Sequence, residues 1–446
     1  RQDLTPLLHA RSVAIVGISQ LPRFGGWLYK NLRDFGYPGK IYGVNPRYES
    51  LFDQPCYPSL SALPERPDCA ILAVPNARML AALQEAAALG IRAAVLFGSA
   101  YSEPAPLGGQ PSLQEQLAEV ARAHGMVICG PNCMGFHAFE RKLVVSGYAV
   151  RPGTPSGGVA FITHSGSAFD ALWQNRRGLY FNYLISSGNE MVTTVADYMQ
   201  FALAQPSTRA IGLFLETVRD PQTFVAALRE AAERDVPVVA LKLGRTEQGA
   251  TLALAHSGAL AGQDAAYDAL FKHYGVSRVK SLDEMLDTLE LLAAGLRPPT
   301  RYIASLHDSG GERGLLVDLA EAEGVRFAPI SAETTDQLAS ALDPGLAPIN
   351  PLDAWGTGNE IDRIYRDCLL ALDADQAVGL TVFATDLYPE SVNSTYVDLV
   401  LEHRRQLQKP IVFMPNLAAS VDPALSARLR QAGIPVLMGT ENSVRA

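Results

Sequence analysis

The sequence predicts an α/β protein made of three parallel-sheet domains in succession. Short, β-rich apolar runs alternate with amphipathic helical stretches along nearly the whole chain. The alternation restarts after two Pro/Gly breaks, RPGTPSGG (151–158) and LRPPTR (296–301). Strands that are apolar throughout are covered on both faces, and strands separated by helices run parallel. The breaks set domains at 1–150, 151–298 and 299–446. At roughly 100–200 residues per domain, 446 residues accommodate about three.

In the first domain, strands are expected at SVAIVG (12–17), KIYGV (40–44), CAILAV (69–74) and AAVLF (93–97), with a helix over 77–90. VAIVGISQLPRFGG (13–26) is a strand running through a glycine loop into a helix, a Rossmann-like arrangement that offers N–H groups to phosphate. It departs from a dinucleotide fingerprint. Ile18 and Ser19 follow Gly17 where a second glycine is required, and the second strand ends in Asn45-Pro46 without a carboxylate for the ribose. These departures weigh against an NAD(P)-dependent oxidoreductase. A different adenine-bearing, phosphate-rich ligand suits the same crevice. CGPNCMGF (129–136) follows the strand MVIC and reads as a tight turn, or as a close backbone approach to a ligand.

In the second domain, GVAFITHSGSAFDALWQ (158–174) is a strand, a small polar turn and a helix. Ser165, Gly166 and Ser167 fall at the helix start, where N–H groups and the dipole favour an anion. Capping by serine explains the same residues more simply. RAIGLFLETVRDP (209–221) sets Glu216 at the carboxyl end of a strand, the edge where open α/β sheets bind ligands. A solvated strand-end acid is the plainer alternative. VALKLGRTEQG (239–249) repeats the pattern, with Lys242 and Arg245 expected on the following loop.

That loop leads to LALAHSGALAG (252–262), where His256 stands among small and apolar residues, with Gly258 and Gly262 close by. Small neighbours admit a bulky anion to the ring. A neutral imidazole with one free nitrogen is a nucleophile for a phosphoryl group. A carboxylate would hold its tautomer, and donors would cradle the phosphate. A serine hydrolase is set aside because position 163 of the would-be Gly-x-Ser-x-Gly is Thr.

The third domain supplies the strands YIASL, AVGLTVFAT, PIVFMP and IPVLMG. HDSGGERG (307–314) reads as a capped strand–helix turn, or as part of an acyl site or a domain interface.

Composition narrows the function. A net charge of −9 and a pI near 5.5 offer no basic face to nucleic acid or an anionic membrane. The longest apolar runs are strand-sized, so no membrane span is expected. No signal peptide is expected from the opening residues, and Arg1 in place of an initiating Met points to missing residues. Five cysteines at irregular spacing read as reduced thiols of a cytoplasmic protein. Cys129 and Cys133 lack a second ligand pair, so no metal site is expected.

Several of these stretches, in this order, resemble the NDP-forming (ADP-forming) acyl-CoA synthetases, relatives of succinyl-CoA synthetase. They are SVAIVGIS, VNP (44–46), GPNCMG (130–135), HSGS (164–167), SSGNE (186–190), LET (215–217), LKLGRTEQG (241–249), AHSGALAG (255–262) and INPLD (349–353). The resemblance covers essentially the whole chain and matches the family's α-subunit layout. It implies a Rossmann-like CoA-binding domain followed by two flavodoxin-like ligase domains. It implies that His256 is transiently phosphorylated, supported by Glu216, with the helix at Ser165, Gly166 and Ser167 and the nearby Gly258 facing the phosphate. Coenzyme A is implied at Gly17, Ile18, Ser19 and Asn45, with Pro131 and Asn132 nearby. A carboxylic acid would become an acyl phosphate, CoA would take the acyl group, and phosphate would pass through His256 to or from ADP.

Two departures stand out. The family usually reads Ser-His-Thr-Gly at the nucleophile where this chain has Ala255-His256-Ser257-Gly258, and Gln is common where it has His164. No Gly-rich nucleotide loop with lysine is present. ATP/ADP with Mg2+ is therefore expected on an ATP-grasp module outside this chain, either a β subunit or a missing C-terminal domain, and relatives lead one to expect an oligomer. The alternative in the same fold is a non-catalytic CoA-binding or CoA-sensing protein.

Overall fold

A computed structural model describes residues 1–21, 24–101, 111–257, 263–389 and 391–446, with the side chains of 253–257 and 392 outside the description. The chain divides into two compact units. One joins Arg1–Gln174 with Tyr180–Arg278, and the other joins Asn175–Leu179 with Val279–Ala446. The first unit holds two sheets and the second holds one.

The first sheet contains β1 (Ser12–Val16), β2 (Lys40–Val44), β3 (Ser50–Leu51), β4 (Gln54–Tyr57), β5 (Cys69–Leu72), β6 (Ala93–Leu96) and β7 (Val127–Cys129). Their order is β3-β4-β2-β1-β5-β6-β7, parallel except for the short β3–β4 pair. Without β3 this is the doubly wound order 3-2-1-4-5-6, with its switch point between β1 and β5. Alternate residues explain why these strands read as continuous apolar runs. Val13, Ile15, Ile71 and Val95 join one buried cluster, while Ala14, Ala70, Leu72, Ala94 and Leu96 join another. Both faces are therefore covered by helices, as a parallel sheet requires.

The second sheet contains β8 (Gly135–Ala138), β9 (Leu143–Ser146), β10 (Val159–Thr163), β11 (Phe181–Ser186), β12 (Ala210–Leu215), β13 (Val238–Lys242) and β14 (Ser277–Arg278). Its order is β14-β13-β12-β10-β11-β8-β9. The parallel strands follow the flavodoxin order 2-1-3-4-5, with the switch point between β10 and β12. The sheet is not purely parallel. β8 and β9 form an antiparallel hairpin added beside β11. These residues precede the Pro/Gly break at 151–158, yet they pair with the sheet that follows it.

The second unit's sheet contains β15 (Ile303–His307), β16 (Leu352–Asp353), β17 (Leu380–Ala384) and β18 (Ile411–Phe413), ordered β16-β15-β17-β18 and parallel. IPVLMG supplies one bridge, Phe413 to Val436, instead of a strand. Pro435 lacks the N–H that would extend the ladder, and the helix Thr440–Arg445 begins shortly after. Among the described residues, no helix is long and apolar enough to cross a membrane.

Candidate functional site

The four central parallel strands of the second sheet end level with one another. Thr163 lies opposite Ser186 and Phe214, and Leu215 lies opposite Lys242. The residues that follow, His164, Ser187, Glu216 and Leu243, line one carboxyl edge. His164 and Glu216 flank the switch point between β10 and β12, where the diverging chains leave a crevice.

At that crevice the chain turns from β10 into the helix Gly166–Trp173. Thr163 Oγ1 accepts from the N–H of Ser165 at 2.9 Å and donates to its carbonyl at 3.1 Å. Ser165 caps the helix, its Oγ accepting from the N–H of Ala168 at 3.2 Å, and it pairs with Ser167 Oγ at 3.1 Å. Serine capping is therefore present. The remaining N–H groups of the first turn point along the helix axis at its positive end, so the serine cap leaves donors that an anion could use.

His164 is buried and both ring nitrogens are engaged. Nδ1 accepts from the N–H of Glu216 at 2.9 Å, which places the ring hydrogen on Nε2. Nε2 then donates to Glu190 Oε1 at 2.8 Å. Sequence reasoning noted His164 only as a departure and Glu190 only within SSGNE. The signal for the pair was their equivalent position past the ends of the adjacent strands β10 and β11.

The turn after β7 reaches the same edge. Gly188 has φ +62, and a Cβ there would lie 2.2 Å from the carbonyl oxygen of Pro131, so only glycine allows this approach. Asn189 donates its N–H to that carbonyl at 2.9 Å, and the N–H of Met134 donates to Ser186 Oγ at 3.0 Å. Asn132 is braced on the first sheet through its N–H to Gly98 O at 2.9 Å. Pro131 and Asn132 thus join the carboxyl edges of the two sheets.

Glu216 is buried at the end of β12 rather than solvated. Lys242 closes β13 and is also buried, a correction to its expected place on the loop. Its Nζ bonds Leu243 O and lies 4.7 Å from the Tyr267 ring centroid. Burial pulls its pKa down to about 8, against the opposing charges of Asp264 and Glu216.

The backbone of His256 lies near the end of the helix Glu247–Ser257. Its side chain, and the whole of Gly258 and Gly262, lie outside the described residues.

On the first sheet, Gly17, Ile18 and Ser19 follow β1 beside its switch with β5, and Asn45 follows β2 on the other side of β1. Gly17 has φ +92, and a Cβ would meet Ala73 O at 2.4 Å. Asn45 Nδ2 donates to Ile18 O at 2.8 Å, tying the loop to the end of β2. Two strands separate β1 from β7, so this loop and Pro131 stand on the order of 14 Å apart at the usual strand spacing. Gly25 and Gly26, which the sequence reading passed over, let the helix Phe24–Asp34 press on the loop. A Cβ on them would meet Gly17 O at 2.4 Å and Leu21 O at 2.1 Å.

In the second unit, Ser309 caps the helix Gly310–Glu323, so HDSGGERG forms a capped strand–helix turn. The edge around it is acidic. Asp308 accepts from Thr385 Oγ1 at 2.7 Å, and Asp386 accepts from the N–H of Asn416 at 2.9 Å.

Known proteins show the same parts in the same order. A CoA binding domain matches residues 11–138, and a succinyl-CoA ligase like flavodoxin domain matches 156–292. An ADP-forming acetate–CoA ligase I subunit alpha from Pyrococcus furiosus is 29% identical over all of this chain and 96% of its own length. By these matches the chain is similar throughout its length to the NDP-forming acyl-CoA synthetases. A trans-feruloyl-CoA synthase from an unknown prokaryotic organism is 31% identical over all of this chain and 64% of its own length. The chain therefore spans a little under two thirds of that family member. A solved dinucleotide forming acetyl-coenzyme A synthetase 1 from Candidatus Korarchaeum cryptofilum, in complex with phosphate and ADP, superposes with a TM-score of 0.88 at 25% identity, covering all of this chain and 95% of its own.

Proposed function

We propose that this chain is the α portion of an ADP-forming acyl-CoA synthetase, catalysing acid + CoA + ATP ⇌ acyl-CoA + ADP + phosphate. The observation that carries the proposal is the convergence at one switch point of a buried carboxylate, Glu216, and a positive helix end, Gly166–Trp173. Their geometry suits a phosphoryl group, and the helix bearing His256 follows directly from the neighbouring strand β13.

In this reading the acid carboxylate attacks phosphorus and releases the His256 nitrogen, giving an acyl phosphate. The CoA thiolate then attacks the acyl carbon, and inorganic phosphate departs. His256 is recharged from ATP, with ADP leaving. Glu216 holds the ring tautomer and offsets the positive charge that develops on the phosphorylated imidazole. The helix-start N–H groups of Gly166 and Ser167 would take the phosphate oxygens, and Gly258 would allow close approach. CoA would run from the loop at Gly17, Ile18, Ser19 and Asn45 to the turn at Pro131 and Asn132, a span that suits its extended shape. The nucleotide, with Mg2+, would sit on an ATP-grasp module outside this chain. A relative that is itself an α subunit and others that are longer than this chain support both forms, a separate β subunit or a fused segment. The five cysteines are free and buried, which suits a reducing cytoplasm.

The test uses the complete enzyme with its nucleotide module. Labelled ATP should leave an acid-labile, alkali-stable label that is chased by acid plus CoA and lost in His256→Ala. Undiminished turnover in that variant overturns the mechanism. CoA binding without any label points instead to a non-catalytic CoA-binding protein.

A further inference from the structure

The phosphoryl-transfer reading leaves the His164–Glu190 pair without a task. Both side chains are nearly inaccessible, at 5% and 1% exposure, so neither is placed to touch a substrate. A ring with both nitrogens bonded is also no free base. Its bonds instead define a constraint. The Glu216 N–H can donate to Nδ1 only while that nitrogen lacks a hydrogen, so the contact requires a neutral ring in one tautomer. Glu190 selects that tautomer, because an ionised carboxylate accepts and so holds the hydrogen on Nε2. Glu190 Oε2 has no hydrogen-bond partner among the described residues.

We infer that His164 is a positioning residue: its neutral ring, oriented by Glu190, pins the backbone of Glu216 and so aims the carboxylate that supports His256. This rests on the function proposed above. A second proton on the ring sets N–H against N–H and releases Glu216. The charged residues in contact with the ring are Glu190, from the loop after β11, through its carboxylate, and Glu216, after β12, through its backbone N–H. Asp197 acts on Glu190 from the helix Val195–Leu203, and Lys242 acts on Glu216 from the end of β13.

The test follows kcat across pH in the complete enzyme. Wild type shows a one-proton acid limb. His164→Ala lowers kcat roughly tenfold or more while KM for CoA stays within about twofold, because the Gly17, Ile18, Ser19 and Asn45 end of the proposed CoA site stands on the first sheet. In His164→Asn, Oδ1 reaches the place of Nδ1 and accepts the Glu216 N–H at every pH. That variant recovers kcat to within about threefold of wild type and loses the acid limb. A persisting limb in His164→Asn, or full kcat in His164→Ala, overturns the inference. Should the His164 variants not fold, Glu190→Gln reads the same point. Losing its charge moves the limb to lower pH, and an unmoved limb overturns the inference. Label that persists in His256→Ala would instead overturn the parent proposal.

Discussion

The ammonium of Lys242 lies 4.7 Å from the centroid of Tyr267, buried at the end of the strand whose neighbour leads into Glu216. The aromatic face and the Leu243 carbonyl replace only part of the lost water, so burial pulls the pKa from 10.5 to about 8. Between those values the native state binds fewer protons than the unfolded chain. Stability contributed through this group therefore rises with pH from about 8 to about 10.5. Lys242→Met keeps most of the stem and removes the titration. Thermal unfolding of wild type and variant should give a midpoint difference, variant minus wild type, that is largest near neutrality and shrinks as pH rises. A difference that is flat with pH contradicts the buried-cation account.

The Gly17 loop should report CoA binding directly. Gly17→Ala forces a Cβ into Ala73 O at a φ of +92, so it should lose about 2 kcal/mol of stability along with CoA affinity. Asn45→Ala is the cleaner probe. It removes the Nδ2 bond to Ile18 O, worth about 1 kcal/mol, and should weaken CoA roughly fivefold by calorimetry with little change in melting. An unchanged CoA affinity in Asn45→Ala would remove CoA from this crevice.

Much of this was legible in sequence because parallel strands are apolar at every position. Val13, Ala14 and Ile15 serve opposite faces, yet all read as buried. Strand-end positions such as Glu216 were legible for the same reason. The hairpin Gly135–Ala138 and Leu143–Ser146 precedes the Pro/Gly break yet joins the sheet that follows it, because strand pairing is long-range. No local pattern tells which sheet a short apolar run will join. The His164–Glu190 bond was hidden for a similar reason. Its partners are 26 residues apart and meet only because β10 and β11 are neighbours in register. Lys242 was read as a loop residue because lysine is seldom buried, and only the aromatic ring of Tyr267 makes its place intelligible.

Glu216 can be divided into its two functions by one substitution. Glu216→Gln keeps the backbone N–H that His164 accepts and removes the carboxylate charge. Phosphoenzyme formation should then fall about 100-fold while CoA affinity stays unchanged, because the imidazole loses its tautomer partner but the loop keeps its anchor. Rapid-quench measurement of the acid-labile label checks this. Wild-type labelling in the variant removes the carboxylate from the reaction.

Glu312 contributes to the acid response of the second unit. It stands in the first turn of the helix Gly310–Glu323, accepting from Asn416 Nδ2 at 2.7 Å. Burial pushes its carboxyl up to about 7, with the charges of Asp308 and Asp386 adding to the shift and the Asn416 bond opposing it. The native state therefore binds more protons than the unfolded chain between about 4.5 and about 7, and stability through this group falls as pH rises across that window. Glu312→Gln keeps an acceptor for Asn416 and removes the charge. The variant should match wild type near pH 4.5 and exceed it by pH 8, measured by thermal unfolding of the second unit's transition in the full chain. The carboxyl is held protonated chiefly by its neighbours' charges if Asp386→Asn narrows that gap, and by burial if it leaves the gap unchanged. A variant less stable than wild type at pH 8 would mean that the helix end welcomes the ionised form, and that the acidic cluster is held charged.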